Sequence, residues 1–187
     1  MGEISVHSYN DLKKVSCVCV TKNRSVYLKR SISCFKGQSY ANKELIILYY
    51  SNDYDTKQMA LNNEDDQVFF YEYDPNEGLT LGYIRNRSLE YVTGDYVCVW
   101  DDDDWYSSHR IMRQYCHIVE HKKPACTLKQ LVIFDYETND MMLTCNRHEG
   151  WEGSLMCETE VMLKYKYGNL NISEDTYLTQ QLSERKL

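Results

Sequence analysis

The stretch Gly94–Trp105, GDYVCVWDDDDW, limits the folds open to this chain more than any other. Tyr96–Trp100 are five apolar or aromatic residues in a row, and four aspartates, Asp101–Asp104, follow directly. A short β-branched run of this kind suits a strand buried on both faces. The aspartates then begin where such a strand leaves the core. That is the active-site edge of an α/β fold, and the other segments are arranged around it.

Three similar runs precede it. Val15–Val20 (VSCVCV), Glu44–Tyr50 (ELIILYY) and Gln67–Tyr73 (QVFFYEY) read as buried strands. Between them lie segments of helical spacing. The first starts at Ser25, expected as its N-cap, places Val26, Leu28, Ile32 and Phe35 on one face, and stops at Gly37. A short helix is expected over Thr56–Asn63. Gly78 and Gly82 flank a loop, and a helix follows over Ile84–Val92. Strand and helix thus alternate over the first ~105 residues, which predicts a parallel sheet flanked by helices. Ligands of such sheets bind outside the carboxyl ends of the strands. Thr21–Arg24, Ser51–Thr56 and Asp101–Asp104 all fall at those ends and are expected to share one crevice.

Beyond the aspartates the pattern changes. Arg110–Glu120 reads as a helix with Ile111, Tyr115 and Ile118 inward. Ala125–Asp135 and Asp140–Asn146 read as two joined strands. Trp151-Glu152-Gly153 reads as a turn, Glu158–Tyr165 as a helix, and Glu174–Glu184 as a final helix with Ser173 as N-cap. One domain over 1–187, with residues 1–14 as a lead-in, is the simplest organisation.

Four adjacent carboxylates repel one another, and a divalent cation relieves that. Oxygen ligands favour Mn²⁺ or Mg²⁺. If the segment is extended, Asp101 and Asp103 face one way and Asp102 and Asp104 the other. The plainer alternative is an exposed acidic turn before the next helix. The net charge of −7 excludes a general attraction for nucleic acid or anionic membrane. No apolar run nears the ~18 residues of a membrane span. The polar opening, MGEISVHSYNDLKK, does not read as a secretory leader, and Gly2 is only a partial match to a myristoylation site. The eight cysteines show no metal-like or CxxC spacing, so reduced thiols in a cytoplasmic setting are expected.

The ordered segments VSCVCVTKNR, ELIILYYSNDYDT, LGYIRNRSLEYVTGDYV and WDDDDW resemble the family 2 glycosyltransferases of GT-A fold. The resemblance covers roughly Val15–Arg110, with a weaker match near the C-terminus. It implies a single Rossmann-like α/β domain with a mostly parallel sheet. The implied activity is metal-dependent, inverting transfer of a sugar from a nucleotide sugar, UDP-linked, to a glycan, protein or lipid acceptor, with a homo-oligomer left open. Position by position, Asp101-Asp102-Asp103 matches the D-x-D, which makes Asp103 the direct metal ligand. Asp101 and Asp102 then contact metal, ribose or sugar. Thr21, Asn23 and the adjoining Arg24 line the nucleotide. Arg85 and Asn86 match the R-N pair near the donor. Glu174-Asp175 matches a late E-D pair and implies Asp175 as catalytic base.

The chain departs from the family at Tyr49-Tyr50-Ser51-Asn52, where two aspartates are usual. Tyr50 can stack on or hydrogen-bond the base, or Asp53 or Asp55 can substitute. Trp151 and Glu152 are candidates for the donor-sugar or acceptor site, and His148 for the metal's surroundings. His117 and His121 have metal-like helical spacing but lack a third ligand. Two competing functions remain at this point: a nucleotidyl or phosphoryl transferase using the same carboxylates, and a non-catalytic domain that binds a nucleotide sugar or a partner.

Overall fold

The computed structural model describes residues 12–74, 79–135, 137–145 and 150–185. Strands β1 (Val15–Thr21), β2 (Lys43–Tyr50), β3 (Val68–Tyr73) and β4 (Tyr96–Val99) run parallel. Helices α1 (Ser25–Lys36), α2 (Tyr54–Leu61) and α3 (Leu81–Ser88) connect them, the last extended by a 3₁₀ turn at Leu89–Tyr91. After α4 (Arg110–His121) come β5 (Ala125–Leu128), β6 (Gln130–Asp135), β7 (Asp140–Cys145) and β8 (Trp151–Glu158). Helices α5 (Thr159–Tyr165) and α6 (Glu174–Glu184) complete the order.

The main sheet has the order β3-β2-β1-β4-β8-β5, with β8 antiparallel to both neighbours. The chain moves outward from β1 to β3, then returns to place β4 on the other side of β1. The crevice therefore opens above β1 and β4, at the switch point of the strand order.

Both faces of the sheet are covered, which explains the continuous apolar runs. Cys17, Cys19, Leu45, Ile47 and Cys98 pack with Leu28, Phe35, Ile111 and Ile118 on one side. Val18, Ile46, Val97 and Val99 pack with Leu89, Met162, Leu178 and Leu182 on the other. Trp100 is fully buried, its ring edge-on to Phe35 and its indole N–H donating to the Ser31 carbonyl at 3.3 Å. It pins the point at which the chain emerges from the core.

Several local expectations are corrected. Ser25 is the first residue of α1 and not its cap; Arg24 precedes it without a side-chain cap bond. Val26 is 76% exposed, and Ser31 takes the inward place beside Leu28 and Phe35. Gly82 lies inside α3, which Thr80 caps by accepting the Tyr83 N–H at 3.1 Å. The expected turn at Trp151-Glu152-Gly153 is the start of β8, the central antiparallel strand. Gly and Glu interrupt its apolar pattern because that end lines the crevice. Ser173 precedes α6 in left-handed backbone, φ 62°, without a cap bond from its side chain. Gly78 and His148 lie outside the described residues.

Candidate active site

Residues 102–103 form a bend, so the four aspartates do not lie along one extended segment as expected. The Tyr106 hydroxyl accepts the Asp101 backbone N–H at 2.9 Å and donates to Asp104 at 3.2 Å. Buried Arg110 stacks 4.1 Å from the Tyr106 ring and donates to the Val99 carbonyl at 2.8 Å. The first turn of α4 and the end of β4 thus fold the aspartates back on themselves.

Each aspartate then meets different partners. Asp102 is only 2% exposed; it accepts from Thr21 Oγ1 at 2.6 Å and pairs with Arg24 at 3.0 Å. Burial pushes its carboxyl above the ordinary range, opposed by Thr21 and Arg24. Asp103 is exposed, with its carboxylate paired to Arg24 and its carbonyl accepting from Arg30 at 2.6 Å. Asp104 is also pushed up by burial and by the Asp101 charge, and its bond from Tyr106 places it on the side of α4.

Asp101 pairs with Arg85 at 3.1 Å. Arg85, on α3, stands between Asp101 and Glu174, with its Nε 3.1 Å from the Glu174 carboxylate. Burial opposes its charge, but Asp101, Tyr167 and Glu174 more than offset this and hold it firmly protonated. One buried guanidinium therefore joins the end of β4 to the first turn of α6. Asp175 is the next residue, close enough for its charge to act on Arg85. Its Oδ1 accepts the Thr176 N–H at 2.8 Å, and Thr176 Oγ1 donates to Glu152 at 3.3 Å. Glu152 and Asp175 thus come together from β8 and α6.

Two glycines permit this convergence. A Cβ on Gly153 would lie 2.9 Å from Asp101 Oδ2, so a side chain there would displace the Asp101 carboxylate. A Cβ on Gly82 would lie 1.7 Å from the Gly168 carbonyl and 3.0 Å from the Glu174 side chain, so α3 and α6 meet only at a glycine. Neither was evident from the sequence as a site residue. The only trace was a glycine inside a pattern otherwise helical or extended.

Beside Asp102 a cleft of about 210 Å³ opens, lined by Thr21, Lys22, Arg24, Tyr50, Tyr73 and Ile84 among others. The Tyr50 and Tyr73 rings lie 4.3 Å apart, and Lys22 Nζ sits 4.3 Å above Tyr50. The Tyr73 hydroxyl is buried without a well-formed hydrogen bond. A wider hollow of about 530 Å³ lies between α1, α2 and β3, around the Lys36–Asp65 ion pair. It is at the other end of the strands, away from the aspartates.

Two candidate residues have different jobs from those expected. Asp53 caps α2 through the Thr56 N–H at 3.1 Å and Thr56 Oγ1 at 2.8 Å, and it accepts the Asn23 N–H at 2.7 Å. Its carboxylate is buried and engaged, so it is not open to a base; it holds Asn23 in left-handed backbone, φ 54°. Asn86 exchanges two hydrogen bonds with the Tyr167 backbone, at 3.0 and 2.9 Å, and ties α3 to the loop before α6. Trp151 is partly buried, with its indole N–H enclosed. The His117 and His121 rings lie 4.1 Å apart on α4, tilted by 32°.

Comparison with known proteins gives the family. A model described as glycosyl transferase family 2 matches residues 16–177. The chain belongs to glycosyl transferase family 2. Curated relatives include a GalNAc(5)-diNAcBac-PP-undecaprenol beta-1,3-glucosyltransferase of Campylobacter jejuni, 28% identical over 100 residues, covering 50% of this chain and 30% of that protein. The putative glycosyltransferase EpsE of Bacillus subtilis is 26% identical over 129 residues, covering 67% and 46%. The chain thus spans less than half the length of these two relatives. Residues 1–349 of TarS from S. aureus, in complex with UDP-GlcNAc, superpose with a TM-score of 0.73 at 14% identity, covering 90% of this chain and 52% of that one. A mannosyltransferase from Pyrobaculum calidifontis, in complex with GDP-Man and Mn²⁺, gives 0.65 at 10% identity, covering 92% and 52%. These structures show a shared fold, with the mostly parallel sheet of the GT-A class.

The family implies a divalent cation, and the side chains here can be tested against it. Among the described residues no three acids converge as a metal cage. The donors are hard carboxylate oxygens. Mg²⁺ and related ions are usually held by one or two carboxylates together with substrate phosphates. Exposed Asp103 beside half-buried Asp101 fits that mode. No helix among the described residues is long and apolar enough to cross a membrane.

Proposed function

We propose that this chain moves a sugar from a nucleoside diphosphate donor, UDP-linked, to an acceptor hydroxyl with inversion at the anomeric carbon. One observation supports the reading: Arg85 ties Asp101, at the donor-side strand end, to Glu174, the residue before the proposed base Asp175. The TarS complexes with UDP and UDP-GlcNAc support the choice of donor.

The chemistry follows from the groups present. The cleft beside Asp102 takes the nucleoside, with Tyr50 and Tyr73 against the base. Thr21 and Asp102 lie at the entrance toward the ribose, and Lys22 and Arg24 supply positive charge to the diphosphate. Asp103 and Asp101 would hold Mn²⁺ or Mg²⁺, which supplies charge neutralisation at the leaving diphosphate. Trp151 and Glu152 border the sugar and acceptor side. Asp175 takes the proton of the acceptor hydroxyl as that oxygen attacks. The Thr176 N–H holds one of its carboxylate oxygens.

Titration calorimetry with UDP and Mn²⁺, combined with a transfer assay, tests the proposal. Asp175→Asn is expected to keep nucleotide binding and lower turnover by roughly 10²–10⁴-fold. Absence of nucleoside diphosphate binding would sink it. A binding domain without catalysis is the second reading, motivated by the arginine-paired state of Asp102 and Asp103. Sugar transfer that is lost in Asp175→Asn would exclude it.

A further inference from the structure

Arg24 engages both acids at once. One terminal nitrogen lies 3.0 Å from Asp102, and the other contacts the Asp103 carboxylate. Asp102 is buried and fixed by Thr21, whereas Asp103 and Arg24 each keep over 40% of their side chains exposed. The guanidinium thus stands on the metal-side carboxylate and borders solvent. It also lines the cleft assigned above to the nucleoside.

The surroundings make this a contest between cations. Four acids face the bend, Asp101 through Asp104. Arg85 serves Asp101, Tyr106 serves Asp104, and Arg24 serves Asp102 and Asp103. Burial opposes the charge on Arg24, Asp102 and Asp103 favour it, and a guanidinium keeps its proton away from them as well. It cannot yield to a divalent ion by losing a proton; it has to move. A diphosphate offers what the two carboxylates offer, a pair of anionic oxygens matched to a planar fork. The Tyr27 ring, 5.5 Å from Arg24, supports the guanidinium beside the cleft.

We propose that Arg24 is the resident counter-ion of Asp102 and Asp103, withdrawn by the donor's diphosphate so that the divalent cation gains Asp103 only together with nucleotide. This rests on the function proposed above. Withdrawal of Arg24 makes nucleotide and metal strengthen each other, and the coupling is necessarily reciprocal. Removing the guanidinium removes that coupling from both sides.

The test measures Mn²⁺ affinity by electron paramagnetic resonance, with and without UDP, in the wild-type chain and in Arg24→Gln. Wild type is expected to bind Mn²⁺ weakly alone and at least about tenfold more tightly with UDP. Arg24→Gln is expected to bind Mn²⁺ alone about tenfold more tightly than wild type, to bind UDP alone about tenfold more weakly, and to lose most of the coupling. Arg24→Lys, which keeps the charge but not the fork, should fall between them. Near-UV circular dichroism checks that the variants fold. Equal Mn²⁺ affinity in Arg24→Gln and wild type without nucleotide would overturn the proposal, as would wild-type Mn²⁺ affinity indifferent to UDP. If no nucleoside diphosphate binds at all, the function proposal fails. The nucleotide-free Mn²⁺ comparison still reads out the role of Arg24 in that case.

Discussion

The parallel half of the sheet and the β6–β7 hairpin use similar residues to opposite ends. In β1, β2 and β4 the apolar runs are covered on both faces, and polar residues at their ends are held by buried partners. In the hairpin, Val132, Ile133, Phe134, Met141, Met142 and Leu143 are between 39% and 75% exposed. Its strands pair with each other in register from Gln130–Cys145 to Asp135–Asp140, in a sheet separate from the main one. Apolar strand composition alone therefore does not mark the core. Burial comes from the crossover helices, which the first half has and the hairpin lacks.

The sharpest way to break this comparison is at the buried clamp. Arg85→Met should cost about 3–5 kcal/mol, because Asp101 and Glu174 are left facing each other without their counter-charge. Urea denaturation measures it, and a loss below 1 kcal/mol would mean that the clamp is solvated. Next comes Gly153→Ala, which drives a methyl into Asp101 Oδ2. About 1–3 kcal/mol of stability should go, together with Mn²⁺-dependent UDP binding. Retained binding would show that Asp101 can shift without consequence.

A smaller effect is expected at the opposite end of the parallel strands. Glu44 is buried, and although burial alone would raise its pKa, bonds from Lys14, Ser16 and Thr93 bring it below the ordinary value of 4.5. With the folded pKa lowered, its stabilisation is present above about pH 4.5 and is lost as pH falls through the folded value. Glu44→Gln should therefore be less stable at neutral pH and converge with wild type in acid. Melting curves from pH 7 to 3 that stay parallel would remove this contribution. The smallest effect belongs to the hairpin. Met141→Ser and Leu143→Ser should each change stability by no more than about 0.5 kcal/mol. A loss of 2 kcal/mol in either would show that the hairpin is covered in solution.

Most of the parallel half was legible because its signals are local. Continuous runs between turn-forming residues read directly as β1, β2, β3 and β4, each to within a residue or so. The antiparallel half was less so. Strand β8 carries Trp-Glu-Gly at one end and an apolar run at the other, so neither simple period applies, and its start was mistaken for a turn. The placement of Val26 on the helix face was wrong for a related reason: the face is chosen by the sheet beneath, and Ser31 met it instead.

At the site, residue order alone says which groups are available: four carboxylates after a buried strand, a threonine and basic residues after β1, and a carboxylate pair opening the last helix. Covalent order suffices for this, because each group lies at the end of its own element. Which groups face each other follows from how the elements pack. Asp53 and Asp55 were equivalent on the page, yet Asp53 became the cap of α2 and the lock on Asn23. Arg85 and Asn86 were one motif, yet one became the clamp and the other a loop tie. The four aspartates were expected to alternate, but Tyr106 and Arg110 bend them, and Arg24 before α1, Arg30 on α1 and Arg85 on α3 divide them. Charges of opposite sign on distant segments choose partners by distance and burial, and these exist only once the sheet has brought the segments together.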